Sequence, residues 1–140
     1  LLLDSRLTPE QRTYATAAKT SGENLLSLIN DILDFSKIEA GKLDLALQPL
    51  SPTALVEDVV ELLAPRAHGK AIEIASFVDP QVPAQVIGDP ARLRQVLLNL
   101  AGNAIKFTER GGVTITIAPS KRAVADPHAL DIVVRDTGSG

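Results

Sequence analysis

The sequence predicts an α+β chain in which a purely helical arm is followed by a mixed unit of helices and strands. Apolar residues first recur at alternating steps of four and three. The period then shifts to two at Leu43, Leu45 and Leu47, and helix starts carrying proline afterwards alternate with short apolar runs bounded by Pro, Asp and Gly.

In the arm, Thr8 caps a helix whose first turn accommodates Pro9, because the missing proline N–H is unbonded there in any case. Tyr14, Ala18, Ser21, Leu25, Leu28, Ile32 and Phe35 form a bundle seam, and Ile29, Leu33 and Ile38 widen it beyond a two-helix contact. Such a face needs more than one partner helix, which two chains making a four-helix arrangement would supply. Gly41 is the predicted stop.

Alternation from Leu43 to Leu50 predicts a half-buried strand. Ser51-Pro52 opens a second helix, with Leu55, Val56, Val59, Val60, Leu62 and Leu63 on one face, that is expected to end at Pro65. Ile72 and Ile74 mark a strand, Asp79, Pro80 and Pro83 a turn, and Val86-Ile87 a short strand. Asp89-Pro90 then starts a third helix over about Ala91 to Phe107. Gly111 and Gly112 turn the chain into a strand through Val113, Ile115 and Ile117. A loop spans Pro119 to Pro127, and Leu130 to Val134 is the last strand.

The 140 residues, 45% of them hydrophobic, suffice for about one ordinary domain. A net charge of −3 with both signs interspersed offers no basic field, so no nucleic acid partner and no direct membrane contact are expected from this segment. The absence of cysteine excludes disulfides, thiolate metal sites and a cysteine nucleophile within these residues. Leu1 to Leu3 are too short a run for a membrane span and read as a helix met in its middle. Since the final loop also stops abruptly, both ends are read as truncations.

Two segments could carry chemistry. In the third helix, DPARLRQVLLNLAGNAIKFT, the residues Leu93, Val96, Leu97, Leu100 and Ala104 are expected on the apolar face. Asn99, Asn103 and Lys106 stand three or four positions apart on the other. An amide oxygen is a hard ligand suited to Mg²⁺ that shares its shell with phosphate, and a lysine meets phosphate as a point charge. The same trio also serves as the plain polar side of an amphipathic helix, so spacing alone does not establish a site. The second segment, Asp136-Thr137-Gly138-Ser139-Gly140, follows a strand. It combines a carboxylate acceptor with glycines that allow close backbone approach, though such residues after a strand also make ordinary tight turns.

NLAGNAIKFT resembles the N box of histidine kinases, and DTGSG resembles their first glycine box, in the family's order and separation. NLLSLINDILDFSKIEAGKLDL is similar to the second helix of their dimerisation and phosphotransfer hairpin with its connection. This resemblance implies a partial phosphotransfer hairpin over residues 1–42 and the N-terminal part of an ATP-binding domain over 43–140. The latter is a truncated two-layer α/β sandwich of the histidine kinase/gyrase/Hsp90-like type. It implies ATP and Mg²⁺ as ligands, with Asn103 on the metal, Asn99 on the phosphate side and Lys106 on phosphate. Asp136 would accept from the adenine amino group, and Gly138 and Gly140 would begin the pocket wall. A homodimer formed through the hairpin, a response-regulator receiver domain as partner and a cytoplasmic location are implied as well. DFSKIEAGKLDL and NAIKFTERG most resemble the hybrid subgroup.

The family's phosphoacceptor histidine is not matched. His68 follows Pro65 and His128 follows Pro127, neither on the bundle stripe, and both read as surface residues. The acceptor is therefore expected upstream, with Leu1 to Leu3 ending the first hairpin helix. These residues alone are expected to be inactive. Two alternatives remain beside this reading: another ATPase of the superfamily, such as a MutL, gyrase or mitochondrial dehydrogenase kinase relative, and a non-enzymatic dimerisation module.

Overall fold

Helix α1 (Pro9–Glu39) begins with a reciprocal capping box: the Gln11 N–H donates to the Thr8 hydroxyl, and the Thr8 N–H donates to the Gln11 side chain. It ends in a Schellman motif around Gly41, whose φ of +67° places it in the left-handed region. There the Lys42 N–H reaches Lys37 O at 2.8 Å and the Gly41 N–H reaches Ile38 O at 3.1 Å. The predicted stop is thus the observed one. Leu2–Asp4, ahead of α1, form a single 3₁₀ turn instead of the end of a longer helix.

The computed structural model describes residues 1–122 and 126–138, and the backbone divides into two compact units, Leu1–Asp44 and Leu45–Gly140. Within the first unit α1 buries none of its residues, and its seam side chains Leu25, Leu28, Ile32 and Phe35 are all more than half exposed.

In the second unit, strand β1 (Gln48–Leu50) pairs antiparallel with β3 (Val86–Gly88). The strand expected from Leu43 forms only over these three residues. Its partner runs out where Asp89 and Pro90 begin the next helix, leaving residues 43–47 no ladder to join. Ala46 instead donates its N–H to Asp89 Oδ2 at 2.9 Å.

Helix α2 (Pro52–Gly69) is capped by Ser51 and passes through Pro65, where it was expected to end. Proline removes one backbone bond there, but Leu63 and Ala67 on either side are both buried, and that burial carries the helix on for a further turn. A second Schellman arrangement then closes it. The Ile72 N–H bonds to Ala67 O at 2.9 Å and the Ala71 N–H to His68 O at 3.0 Å, with Ala71 at φ 54° in the position that favours glycine.

Strand β2 (Glu73–Val78) runs parallel to β4 (Gly112–Pro119), which runs antiparallel to β5 (Leu130–Asp136), in the order β2-β4-β5. Helix α3 (Pro90–Phe107) lies in the crossover from β2 to β4. Together α2 and α3 cover one sheet face, and Val56, Val59, Leu63, Ala67, Leu97, Ala101, Ile105, Val113, Ile115 and Ile117 make the core between the two layers. The α+β class is as expected. At Gly102 a Cβ would lie 3.3 Å from the Arg66 guanidinium, so the small residue permits close approach of α3 to α2.

The third helix is turned relative to its predicted apolar face. Leu97, Ala101 and Ile105, spaced by four, are buried, whereas Val96 and Leu100 are 51% and 52% exposed. Sequence spacing shows an apolar stripe, but the width of the sheet beneath decides which edge of it is covered.

Asp89 is almost fully buried and joins two segments, accepting the Arg92 N–H at the start of α3 as well as the Ala46 N–H. These bonds, that from Ala46 foremost, hold its carboxyl below the ordinary aspartate value of 3.8. A folded-state pKa lowered in this way adds stability that is complete above the unfolded value and fades as pH falls through the folded one. We therefore expect Asp89→Asn to lower the melting temperature at neutral pH and to narrow the gap to wild type below about pH 4, as read by thermal melts across an acid series. Ala71→Gly should raise stability by about 0.5–1 kcal/mol in urea titration, since it relieves the left-handed strain of a residue with a Cβ.

Candidate functional site

Because Leu97, Ala101 and Ile105 face the sheet, the next stripe of α3, at about 100° of rotation per residue, turns toward the β5 edge. On it stand Leu100, Asn103, Ala104 and Phe107. The β4–β5 register pairs Ile115 with Val134 and Val113 with Asp136, and so places Val134 and Asp136 on the helix-covered face of the sheet. The two sets meet across an open cleft of about 310 Å³ lined by these six residues. That volume lies at the small end of the range for small-molecule sites, which runs from about 300 to 1,000 Å³.

The cleft has apolar walls, from Leu100, Phe107 and Val134, and two polar groups, the Asn103 amide and the Asp136 carboxylate. Leu100 and Phe107 are 52% and 70% exposed and together give the cleft an apolar wall that suits a flat group. Sequence reasoning missed both as site residues, assigning Leu100 to the core. Their signal was present in the shared stripe with Asn103, at steps of three and four.

Asp136 belongs to the end of β5 and not to the loop after it, so its direction is set by the ladder. Its Oδ1 accepts the Gly138 N–H at 3.2 Å, making a turn that folds the carboxylate back over its own backbone. Thr137 ties this turn to the start of β4: its N–H donates to Gly112 O at 3.0 Å, and its hydroxyl accepts the Gly112 N–H at 2.8 Å. Gly111, at φ +110°, must lack a Cβ because one would fall on the Thr137 hydroxyl.

Gly138 rests on Thr108, the residue that ends α3. A Cβ at 138 would stand 3.1 Å from Thr108 Oγ1 and 3.2 Å from its Cα. Thr108 is 1% exposed, and its hydroxyl has no hydrogen-bond partner among the described residues. An orphaned buried group of this kind costs about 1–3 kcal/mol. Lys70, which the sequence did not single out, closes the end of α3, its ammonium donating to Ile105 O at 2.8 Å and Lys106 O at 2.9 Å.

Of the six residues predicted for the site, Asn103 and Asp136 meet in the cleft. Asn99 and Lys106 are exposed on α3 but lie about 40° and 60° around the helix from Asn103 and do not line the cleft. Lys106 approaches its rim, with its ammonium 5.3 Å from the centroid of the Phe107 ring. Gly138 supports the turn, and Gly140 lies outside the described residues. No three His, Cys, Asp or Glu side chains gather for a metal among the described residues. The hard oxygen of Asn103 therefore fits Mg²⁺ only in company with phosphate oxygens and water. A larger concavity of about 550 Å³ between α2 and α3 is lined by Leu62 and Pro65 beside Asp58, Glu61 and Arg94, and there Arg94 and Asp58 pair with each other at 2.9 Å.

The model of the histidine kinase-, DNA gyrase B- and HSP90-like ATPase family matches residues 88–140, and that of the His kinase A (phospho-acceptor) domain matches residues 1–41. The signal transduction histidine-protein kinase BarA of Escherichia coli is 45% identical over 141 residues, covering all of this chain and 15% of BarA. The sensor protein GacS of Pseudomonas syringae is 49% identical over 141 residues, with the same coverage. The chain is homologous to hybrid sensor histidine kinases. It spans about 15% of the length of these relatives. The crystal structure of full-length ShkA in complex with AMPPNP is 45% identical and matches 98% of this chain and 28% of its own, with a TM-score of 0.80. In this histidine kinase homologue no helix among the described residues is long and apolar enough to cross a membrane.

If the exposed wall residues serve a ligand and not the core, Phe107→Ala should weaken adenine nucleotide binding by roughly ten-fold while leaving the melting temperature nearly unchanged. Calorimetry and thermal melting on the same preparation check both halves of this expectation.

Proposed function

We propose that this chain is part of an ATP-dependent protein-histidine kinase of a two-component phosphorelay. The whole protein phosphorylates its own histidine and passes the phosphoryl group to an aspartate of a response-regulator receiver domain. The observation that carries this reading is the convergence of Asn103 and Asp136 on one cleft whose walls are the exposed Leu100 and Phe107 and the facing Val134. The AMPPNP bound to ShkA supports it.

In this reading the adenine lies between the apolar walls, and Asp136 accepts from its amino group. The Asp136 carboxylate favours a base with a donor at that edge over one with a carbonyl, because the mismatch sets two acceptors against each other. Asn103 holds Mg²⁺, which neutralises phosphate charge when bound, and Asn99 and Lys106 extend the phosphate side along α3. Gly138 and Gly140 start the pocket wall. In the transfer a nitrogen of the acceptor imidazole bonds to the γ-phosphorus, the bond to the ADP oxygen breaks, and the imidazole proton leaves to a base. Positioning and charge neutralisation supply most of the rate in such reactions.

The exposed seam of α1 serves a homodimer through the helical hairpin, in a cytoplasmic part of the parent. His68 and His128 both lie outside the helical unit Leu1–Asp44 and are exposed, so these residues by themselves do not autophosphorylate.

Calorimetry with MgADP on the full-length protein tests the site: Asn103→Asp and Asp136→Asn should each reduce affinity at least ten-fold, roughly the effect of losing one charged or metal contact. Wild-type affinity in both variants would reject the nucleotide assignment. Incubation of the 140-residue chain with γ-labelled ATP should leave no label on the protein, and a labelled histidine would reject the inactivity of these residues.

A further inference from the structure

Two features beside the cleft are unaccounted for by the roles above: the fully buried Thr108 hydroxyl, without a partner among the described residues, and the Asp136 carboxylate bound to its own turn through the Gly138 N–H. They are neighbours, since Gly138 packs directly on Thr108. We propose that Thr108 is a positioning residue for the base-binding carboxylate, its hydroxyl being the alternate acceptor for the Gly138 N–H when a base amino group draws Asp136 toward the cleft. This inference rests on the nucleotide reading of the site and adds a residue and a step to it.

The physical argument is one of exchange. At 3.2 Å the bond from Gly138 to Asp136 is long for an N–H donor, and it holds the carboxylate over the turn. An exocyclic amino group competes for that carboxylate. On release the Gly138 N–H, at a half-buried position, exchanges the carboxylate for water or for another protein acceptor. Thr108 Oγ1 stands on the side of Gly138 where a Cβ would come within 3.1 Å of it, has open acceptor capacity and is fixed at the end of α3, whose last carbonyls Lys70 holds. Transfer of the N–H to it gives both groups a partner in the bound state. The bonds of Thr137 to Gly112 keep the next residue in place, so the adjustment is confined to the Asp136 side chain and the Gly138 peptide.

A hydroxyl used only in the bound state has a signature that a structural one lacks. In the full-length protein, Thr108→Val removes the hydroxyl while keeping the shape. It should melt at or above the wild-type temperature without nucleotide yet bind MgADP about ten-fold more weakly, the effect of one hydrogen bond. MgIDP, whose base carries a carbonyl in place of the amino group, should bind the two proteins equally. Thr108→Ser should bind MgADP like wild type, and Thr108→Ala compared with Thr108→Ser gives the same contrast if valine packs poorly. Unchanged MgADP affinity in Thr108→Val, or equal weakening toward MgADP and MgIDP, overturns the role of Thr108 while leaving the nucleotide site standing. Failure of the wild-type protein itself to bind MgADP removes the nucleotide reading and this inference together.

Discussion

The contact of the Leu97, Ala101 and Ile105 stripe of α3 with Val113, Ile115 and Ile117 of the central strand sets the arrangement of the second unit. All six side chains are essentially solvent-free, and each contributes about 1–3 kcal/mol by burial, so rotation of the helix about its axis is strongly opposed. With that face fixed, Leu100, Asn103 and Phe107 have one direction left to point. The ladder from β4 to β5 applies a matching constraint, because a slip of one residue would send Val134 and Asp136 to the opposite side of the sheet. The cleft is the place where these two rigid settings meet.

Several smaller devices protect that geometry. Asp89 joins the segment at Ala46 to the first turn of α3, Lys70 closes its last turn, and Gly102 lets it approach α2. At the far side Thr137 and Gly111 interlock, so the turn bearing Asp136 is held to the start of β4. What remains adjustable is small and local: the carboxylate, the Gly138 peptide and the exposed aromatic wall. Rigid supports around a few movable groups are what a site needs if it is to bind without reorganising its scaffold.

The helical unit follows a different logic. α1 is closed by strong local signals at both ends, the Thr8–Gln11 box and the Gly41 motif, yet it buries nothing of its wide apolar face within its own unit. Local capping determines where such a helix starts and stops. Its apolar face is satisfied only by partners, which is the condition of a dimerisation element.

Much was therefore legible in the sequence. Capping residues, proline at first turns, β-branched alternation and the two short motifs gave the order of elements, the α+β class and the residues Asn103 and Asp136, because these depend on interactions within a few positions along the chain. Other features required the tertiary structure. The rotation of α3, which moved Leu100 from the core to the cleft wall, was decided by the sheet it lies on. The continuation of α2 through Pro65 was decided by the burial of Leu63 and Ala67, and the shortening of the first strand to Gln48–Leu50 by the length of its partner. The pairing of Thr108 with Gly138, thirty residues apart, has no local sequence signal. Short-range bonding and period are written in neighbouring residues, whereas which face is buried, and which distant groups meet, follows only when competing surfaces have packed.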